Sequence, residues 1–151
     1  MSLNIQIERC ASLDQPGWLE MRMALWADAT AEDHRGYMAI ALAQPERFLQ
    51  LMVYDQNRTP IGFIEGSIRN DYVNGTETSP VGFVEGVFVI PSMRRKGVAR
   101  QLFAAIGDWA RARGCLELAS DALLENEASQ RAHRALGFRE TERVVYFAKP
   151  L

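Results

Sequence analysis

The stretch Phe88-Val89-Ile90-Pro91-Ser92-Met93-Arg94-Arg95-Lys96-Gly97-Val98-Ala99 carries the densest chemical signal in the chain. An apolar run enters a basic turn that contains a glycine, and an amphipathic segment follows. The first turn of a helix has backbone N–H groups without internal partners, and its macrodipole places partial positive charge there. Arg94, Arg95 and Lys96 add cationic side chains, and Gly97 lets a ligand approach the backbone closely. The combination suits a pyrophosphate. A solvated basic turn at a helix start is the competing account. No Gly-Lys-Ser/Thr follows, so this is not a Walker loop, and the three glycines of the dinucleotide fingerprint are missing.

The elements that must position this turn read as follows. Residues 81–90 (VGFVEGVFVI) form a nearly continuous apolar run, the pattern of a buried central strand, interrupted by Glu85. Residues 97–113 predict an amphipathic helix with Val98, Leu102, Ile106, Trp109 and Ala110 on one face and Gly114 just past its end. Upstream, residues 3–9 predict a strand. Residues 14–26 predict a helix with Pro16 in its first turn and Leu19, Met23 and Trp26 on its apolar face. Thr30 to Ala43 predicts a second helix. Residues 47–54 and 61–69 predict a hairpin around Asp55-Gln56-Asn57-Arg58, and 70–80 predicts a polar loop of functional length. Residues 115–120 predict a short strand, Asn126 to Leu136 a helix closed by Gly137, and 142–149 a last strand. The order β, α, α, β, β, β, α, β, α, β implies an α/β (α+β) sheet of mixed direction.

Composition narrows the functional classes. The 151 residues are 48% hydrophobic and 24% charged, enough for one domain with its own core, expected over 1–151. The net charge of -2 argues against a bulk nucleic-acid binder, and three clustered cations without interleaved aromatics do not make a nucleic-acid patch. No apolar run is long enough for a membrane span and no signal peptide is visible, so a cytoplasmic location is expected. Cys10 and Cys115 read as buried thiols rather than a framework. His34 and His133 lack metal-ligand spacing, so no metal is predicted.

Arg94-x-x-Gly97-x-Ala99 after an apolar strand resembles the acetyl-CoA-binding motif of the GNAT N-acetyltransferases. Asn126, Ala132, His133 and Leu136-Gly137-Phe138 resemble the last helix of that superfamily and the strand after it. The strings Ser67-Ile68-Arg69-Asn70-Asp71-Tyr72-Val73-Asn74-Gly75, Ser79-Pro80-Val81 and Phe83-x-Glu85-Gly86-x-Phe88-Val89 are similar to the aminoglycoside 6′-N-acetyltransferases. So are Leu25-Trp26, Ala119-Ser120-Asp121 and Glu140-Thr141-Glu142-Arg143-Val144. Residues 28–60 match least. The resemblance implies a GNAT fold, with a mostly antiparallel sheet whose central strands splay at Ile90.

The resemblance also implies roles. The backbone of Val87, Phe88 and Val89 would bond the pantetheine arm, and the amides of Arg95, Lys96, Gly97, Val98, Ala99 and Arg100 would hold the pyrophosphate. Asn126 would bond the arm, cap its helix, or do both. The acceptor would be a polycationic aminosugar, for which Glu85, Asp121 and Glu142 supply carboxylates and Trp26 and Tyr72 supply stacking faces. Each has a plainer alternative: an Arg partner for Glu85, a turn residue for Asp121, surface charge for Glu142, core packing for Trp26 and a solvated loop for Tyr72. An amine attacks a thioester only when neutral, so Glu85 or Asp121 would take the proton. His133 stands where many superfamily members carry the tyrosine that protonates the leaving thiolate. A homodimer joined through Val144, Val145 and Phe147 is expected. The other acceptors to consider are a polyamine, a peptide N-terminus or a protein lysine. A module that binds acetyl-CoA without turnover is the remaining class.

Overall fold

The computed structural model describes residues 3–151. The strands β1 (Gln6–Arg9), β2 (Phe48–Tyr54), β3 (Pro60–Arg69), β4 (Val81–Val89) and β5 (Leu118–Ala119) lie in chain order in one sheet. The first four pair antiparallel, and β5 runs parallel to β4. The helices are α1 (Trp18–Leu25), α2 (Ala31–Leu42), α3 (Val98–Ala112) and α4 (Glu127–Ala135), with a short 3-10 turn over Pro91–Met93. This is the mixed, mostly antiparallel α/β architecture the element order implies.

Among the described residues two large cores form, one on each sheet face, with a smaller cluster of Val73, Val81 and Phe83. On one, Val98, Leu102, Ile106 and Trp109 of α3 pack on Leu49, Leu51, Val53, Ile64 and Val84. Burying each such side chain contributes about 1.5–3 kcal/mol, which ties α3 and its N-terminal turn to the centre of the sheet. On the other, Trp18 and Met21 of α1 and Met38 of α2 pack on Met52, Tyr54 and Phe63. Alternation along β2 sends Leu49, Leu51 and Val53 to the first core and Met52 and Tyr54 to the second. Gln50 is buried with them. Helix α2 starts on a capping box: Thr30 accepts from the Asp33 amide and Asp33 accepts from the Thr30 amide, both at 3.1 Å.

Three expectations are corrected. Helix α1 begins at Trp18 after Gly17, not at residue 14, and buries Trp18, Met21 and Arg22, while Met23 is exposed. Of the expected apolar stripe, Leu19 and Trp26 pack on the second core and Met23 does not, while Trp18 and Arg22 bond Glu65 beneath the helix. The strand expected over 115–120 shrinks to two residues. No strand forms over 142–149. A strand needs a neighbouring ladder, and a two-residue β5 at the sheet edge offers little of one. Tyr146 and Phe147 consequently stand 83% and 93% exposed.

Candidate active site

The site begins with an irregularity in the sheet. Gly66 pairs with Val84 and Glu65 with Gly86, so Glu85 is an extra residue on β4, a β-bulge. Bulges re-aim side chains, and Glu85 is the single exposed residue of β4. Its carboxylate accepts from Ser67 Oγ at 2.5 Å and from Arg69 Nη2 at 2.9 and 3.1 Å. Glu85 therefore has an arginine partner and also lines a cavity of about 410 Å³, with Arg22, Trp26, His34, Tyr37 and Gln50. The cavity is walled by residues of β2, β3 and β4 and by the two N-terminal helical segments.

Trp26 is seated against β4. A Cβ on Gly86 would lie 2.3 Å from Trp26 Cζ2 and 2.5 Å from Cη2, so only glycine allows this approach. Phe63 meets the indole edge-on at 6.1 Å between centroids, and the Arg22 guanidinium lies 4.7 Å from the ring centre. Arg22 and Glu65 form a buried ion pair, to which Trp18 Nε1 adds a hydrogen bond at 2.8 Å. Sequence reasoning missed Arg22, Glu65, Tyr37 and the cavity role of His34. One signal was available: Arg22 and Trp26 are four residues apart, neighbours on one helix face.

Beside the bulge the sheet opens. Strand β4 contacts β5 only at Gly82 with Leu118 and Phe83 with Ala119. From Val84 to Val89 its edge on that side has no strand partner among the described residues. Val87, Phe88 and Val89 are held from the other side by Ile64, Phe63 and Gly62. The chain then turns through Arg94, whose Nε donates to the Val89 carbonyl at 2.7 Å. Arg95 and Gly97 both take positive φ, 61° and 87°. Nothing lies within 4 Å of a Cβ placed on Gly97, so a concave turn faces open space at the start of α3. Lys96 and Arg100 flank it, with Arg100 donating to the Ala135 carbonyl at 3.1 Å. An open edge, a left-handed turn and a long helix N-terminus fit an extended arm ending in a pyrophosphate.

Other sequence-selected residues lie elsewhere. Asp121 is exposed just beyond β5, Tyr72 is exposed in the 70–80 loop and Glu142 is exposed in the C-terminal arm; none lines the Glu85 cavity. Asn126 Oδ1 accepts from the Ser129 amide at 3.1 Å, the helix-cap arrangement. The His133 ring lies edge-on to Phe103 and Phe138, with Nε2 2.7 Å from Ser120 Oγ and Nδ1 2.7 Å from the Ser129 carbonyl. That carbonyl can only accept, so Nδ1 carries a proton, and in the neutral imidazole Nε2 then accepts from Ser120. Cys10 and Cys115 are buried, and desolvation pushes both thiols up. Among the described residues no three His, Cys, Asp or Glu side chains gather as a metal site, and no helix is long and apolar enough to cross a membrane.

A bulged carboxylate beside a splayed strand that runs into a left-handed phosphate turn is the arrangement of an acyl-CoA-dependent transferase. The profile of the Acetyltransferase (GNAT) family matches residues 9–138, and the chain belongs to that family. It is 48% identical over 149 residues to aminoglycoside N(6′)-acetyltransferase type 1 of Acinetobacter haemolyticus, covering 99% of each chain. The structure is similar to that of aminoglycoside antibiotic 6′-N-acetyltransferase AAC(6′)-Ih from Acinetobacter baumannii, with TM-score 0.91, 44% identity and coverage of 97% and 99% of the two chains. It is equally similar, with TM-score 0.91, 40% identity and coverage of 97% and 99%, to AAC(6′)-Iy in complex with the bisubstrate analogue CoA-S-monomethyl-acetylneamine.

Proposed function

We propose that the protein acetylates the 6′-amino group of aminoglycoside antibiotics, by direct transfer from acetyl-CoA, and so confers resistance. The observation that carries this reading is the bulge that turns Glu85 out of the sheet into a cavity walled by Trp26, beside the open edge of β4. A carboxylate next to an indole face suits a cationic aminosugar: the carboxylate holds the ammonium and the indole covers the ring. The relatives that match over the whole chain bear the same activity in their names.

Acetyl-CoA supplies the activated acyl group when bound. The amides of residues 95–100 and the N-terminus of α3 hold its pyrophosphate, and the free edge at Val87, Phe88 and Val89 holds its arm in the manner of an added strand. Asn126 caps α4 and offers its amide Nδ2 to the same arm. Glu85 binds the acceptor ammonium and takes a proton from it, directly or through water, so that the lone pair is free to attack. Backbone N–H groups at the splay stabilise the charge that develops on the carbonyl oxygen. The ammonium loses two protons overall; one is returned to sulfur and one goes to solvent. His133, with both ring nitrogens already bonded, serves to position Ser120 at the end of β5 rather than to protonate the leaving sulfur. Asp121, Tyr72 and Glu142 contact the outer rings and their ammonium groups.

The exposed Val144, Val145, Tyr146 and Phe147 support a homodimer in which a second copy covers the arm and the open edge of β5. Its setting is the cytoplasm, where acetyl-CoA is available and thiols stay reduced. The test is product analysis. Incubation with acetyl-CoA and an aminoglycoside bearing a 6′-amine should add one acetyl group, located at the 6′ nitrogen by NMR. Acetylation at another ring position would overturn the assignment.

A further inference from the structure

Two walls of the acceptor cavity depend on one imidazole. His34 is 1% exposed and stands in the first turn of α2. Arg22 Nε donates to His34 Nδ1 at 3.2 Å. A guanidinium nitrogen has only donors to offer, so Nδ1 must be the accepting nitrogen. The ring proton therefore sits on Nε2, which lies 3.1 Å from the Trp26 carbonyl and donates to it. Neutral His34 in this single tautomer satisfies both partners. Arg22 is anchored in turn by Glu65. On its own helix, His34 shares a stripe with Tyr37 and Ala41, at i+3 and i+7, and both line the cavity.

A buried histidine bonded to whatever lies nearby would explain the contacts one by one. It would not explain where they lead: one bond ends on the backbone of Trp26, and the helix carrying the imidazole presents its next turn to the same cavity. We propose that His34 is a positioning residue for acceptor binding. It holds Trp26 against Gly86 and fixes the register of α2, so that Tyr37 supplies a second aromatic wall and the cavity is shaped for a ring-bearing amine. The identity of that amine rests on the aminoglycoside reading; the coupling of His34 to Trp26 does not.

The test uses the full chain with His34→Leu, which keeps bulk but makes neither bond, and His34→Gln, which can accept and donate. KM is measured separately for a 6′-amino aminoglycoside and for acetyl-CoA. The Trp26 indole N–H resonance, assigned with Trp26→Phe, reports the ring position without reference to activity. His34→Leu should raise the aminoglycoside KM about tenfold, the scale of one buried hydrogen bond left unmade. Acetyl-CoA KM should hold and the indole resonance should shift, and His34→Gln should restore both. Should His34→Leu fail to fold, His34→Asn replaces it: it can accept from Arg22 but is too short to reach Trp26, and should still shift the indole. Unchanged aminoglycoside KM with an unmoved indole, or equal losses toward both substrates, would overturn the proposal. Inactivity of the unmodified protein on every aminoglycoside would overturn the substrate reading instead, and the indole comparison would still decide the role of His34.

Discussion

Replacing Gly86 by alanine adds one methyl group where Trp26 packs on β4, beside the Glu85 cavity. That carbon would sit 2.3 Å from Trp26 Cζ2, 2.5 Å from Cη2 and 3.0 Å from Leu25 Cδ2. Carbon atoms pack at about 3.5 Å or more, so the indole must retreat by about 1 Å. It has little freedom to do so, because Phe63 and Arg22 bound it on other sides. Overpacking of this kind costs about 2 kcal/mol, which in a chain of this size lowers Tm by about 6 °C. A displacement of about 1 Å in a binding wall costs on the order of 100-fold in turnover. Gly86→Ala should therefore lower kcat/KM for the aminoglycoside by that order, while acetyl-CoA affinity, assigned to the open edge of β4, is preserved. Trp26→Phe removes the two crowded ring atoms, so the Tm loss of Gly86→Ala with Trp26→Phe should be smaller than the sum of the single losses. Calorimetry and initial rates with each substrate varied are the assays. Unchanged Tm and aminoglycoside kinetics in Gly86→Ala would refute the placement of Trp26 on Gly86.

Three further outcomes are expected. Gly97→Glu should weaken acetyl-CoA binding roughly 100-fold in a folded protein, since a carboxylate about 5 Å from a phosphate charge costs about 3 kcal/mol at an effective dielectric of 20, and isothermal titration would read it. Glu85→Gln should reduce acetyl transfer roughly 100-fold or more with acetyl-CoA binding retained, as measured by single-turnover kinetics beside titration. Glu117 should make the 70–80 loop sensitive to acid. The Thr78 hydroxyl first, then the Glu77 and Thr78 amides, hold its carboxyl below the usual 4.5. The folded pKa is the lower one, so the stabilisation is complete above about pH 5 and is lost as pH falls through the depressed value. Protection of the Glu77 and Thr78 amides, taken relative to their intrinsic exchange at each pH, should fall as pH drops over that range and lose this dependence in Glu117→Gln.

Legibility in the sequence followed the strength of local rules. Helix α3 was readable because Val98, Leu102, Ile106 and Trp109 repeat at helical spacing between Gly97 and Gly114, and all four are buried. Helix α2 was readable at its start because Thr30 and Asp33 form a capping box. The glycine turn before α3 was readable because Arg94, Arg95, Lys96 and Gly97 are consecutive residues, and Gly97 does take a left-handed conformation at the helix start. The face of α1 was not, because Arg22 is buried by pairing with Glu65 on β3, and no local pattern marks a charged residue as internal. The bulge at Glu85 was hidden for a similar reason: it is defined by register against β3, not by spacing along β4. The strand expected over 142–149 rested on the apolar run Val144 to Ala148, yet such a run states only that these side chains need cover. Whether a ladder forms depends on an edge to pair with, and within this chain that edge is two residues long.

The most direct test of the central claim is thiol release from acetyl-CoA by the purified protein, with an aminoglycoside carrying a 6′-amino group set against its close analogue carrying a 6′-hydroxyl. The account predicts release with the amine, abolished by Glu85→Gln, and none with the hydroxyl compound. Saturable binding of acetyl-CoA without release on either compound would contradict it.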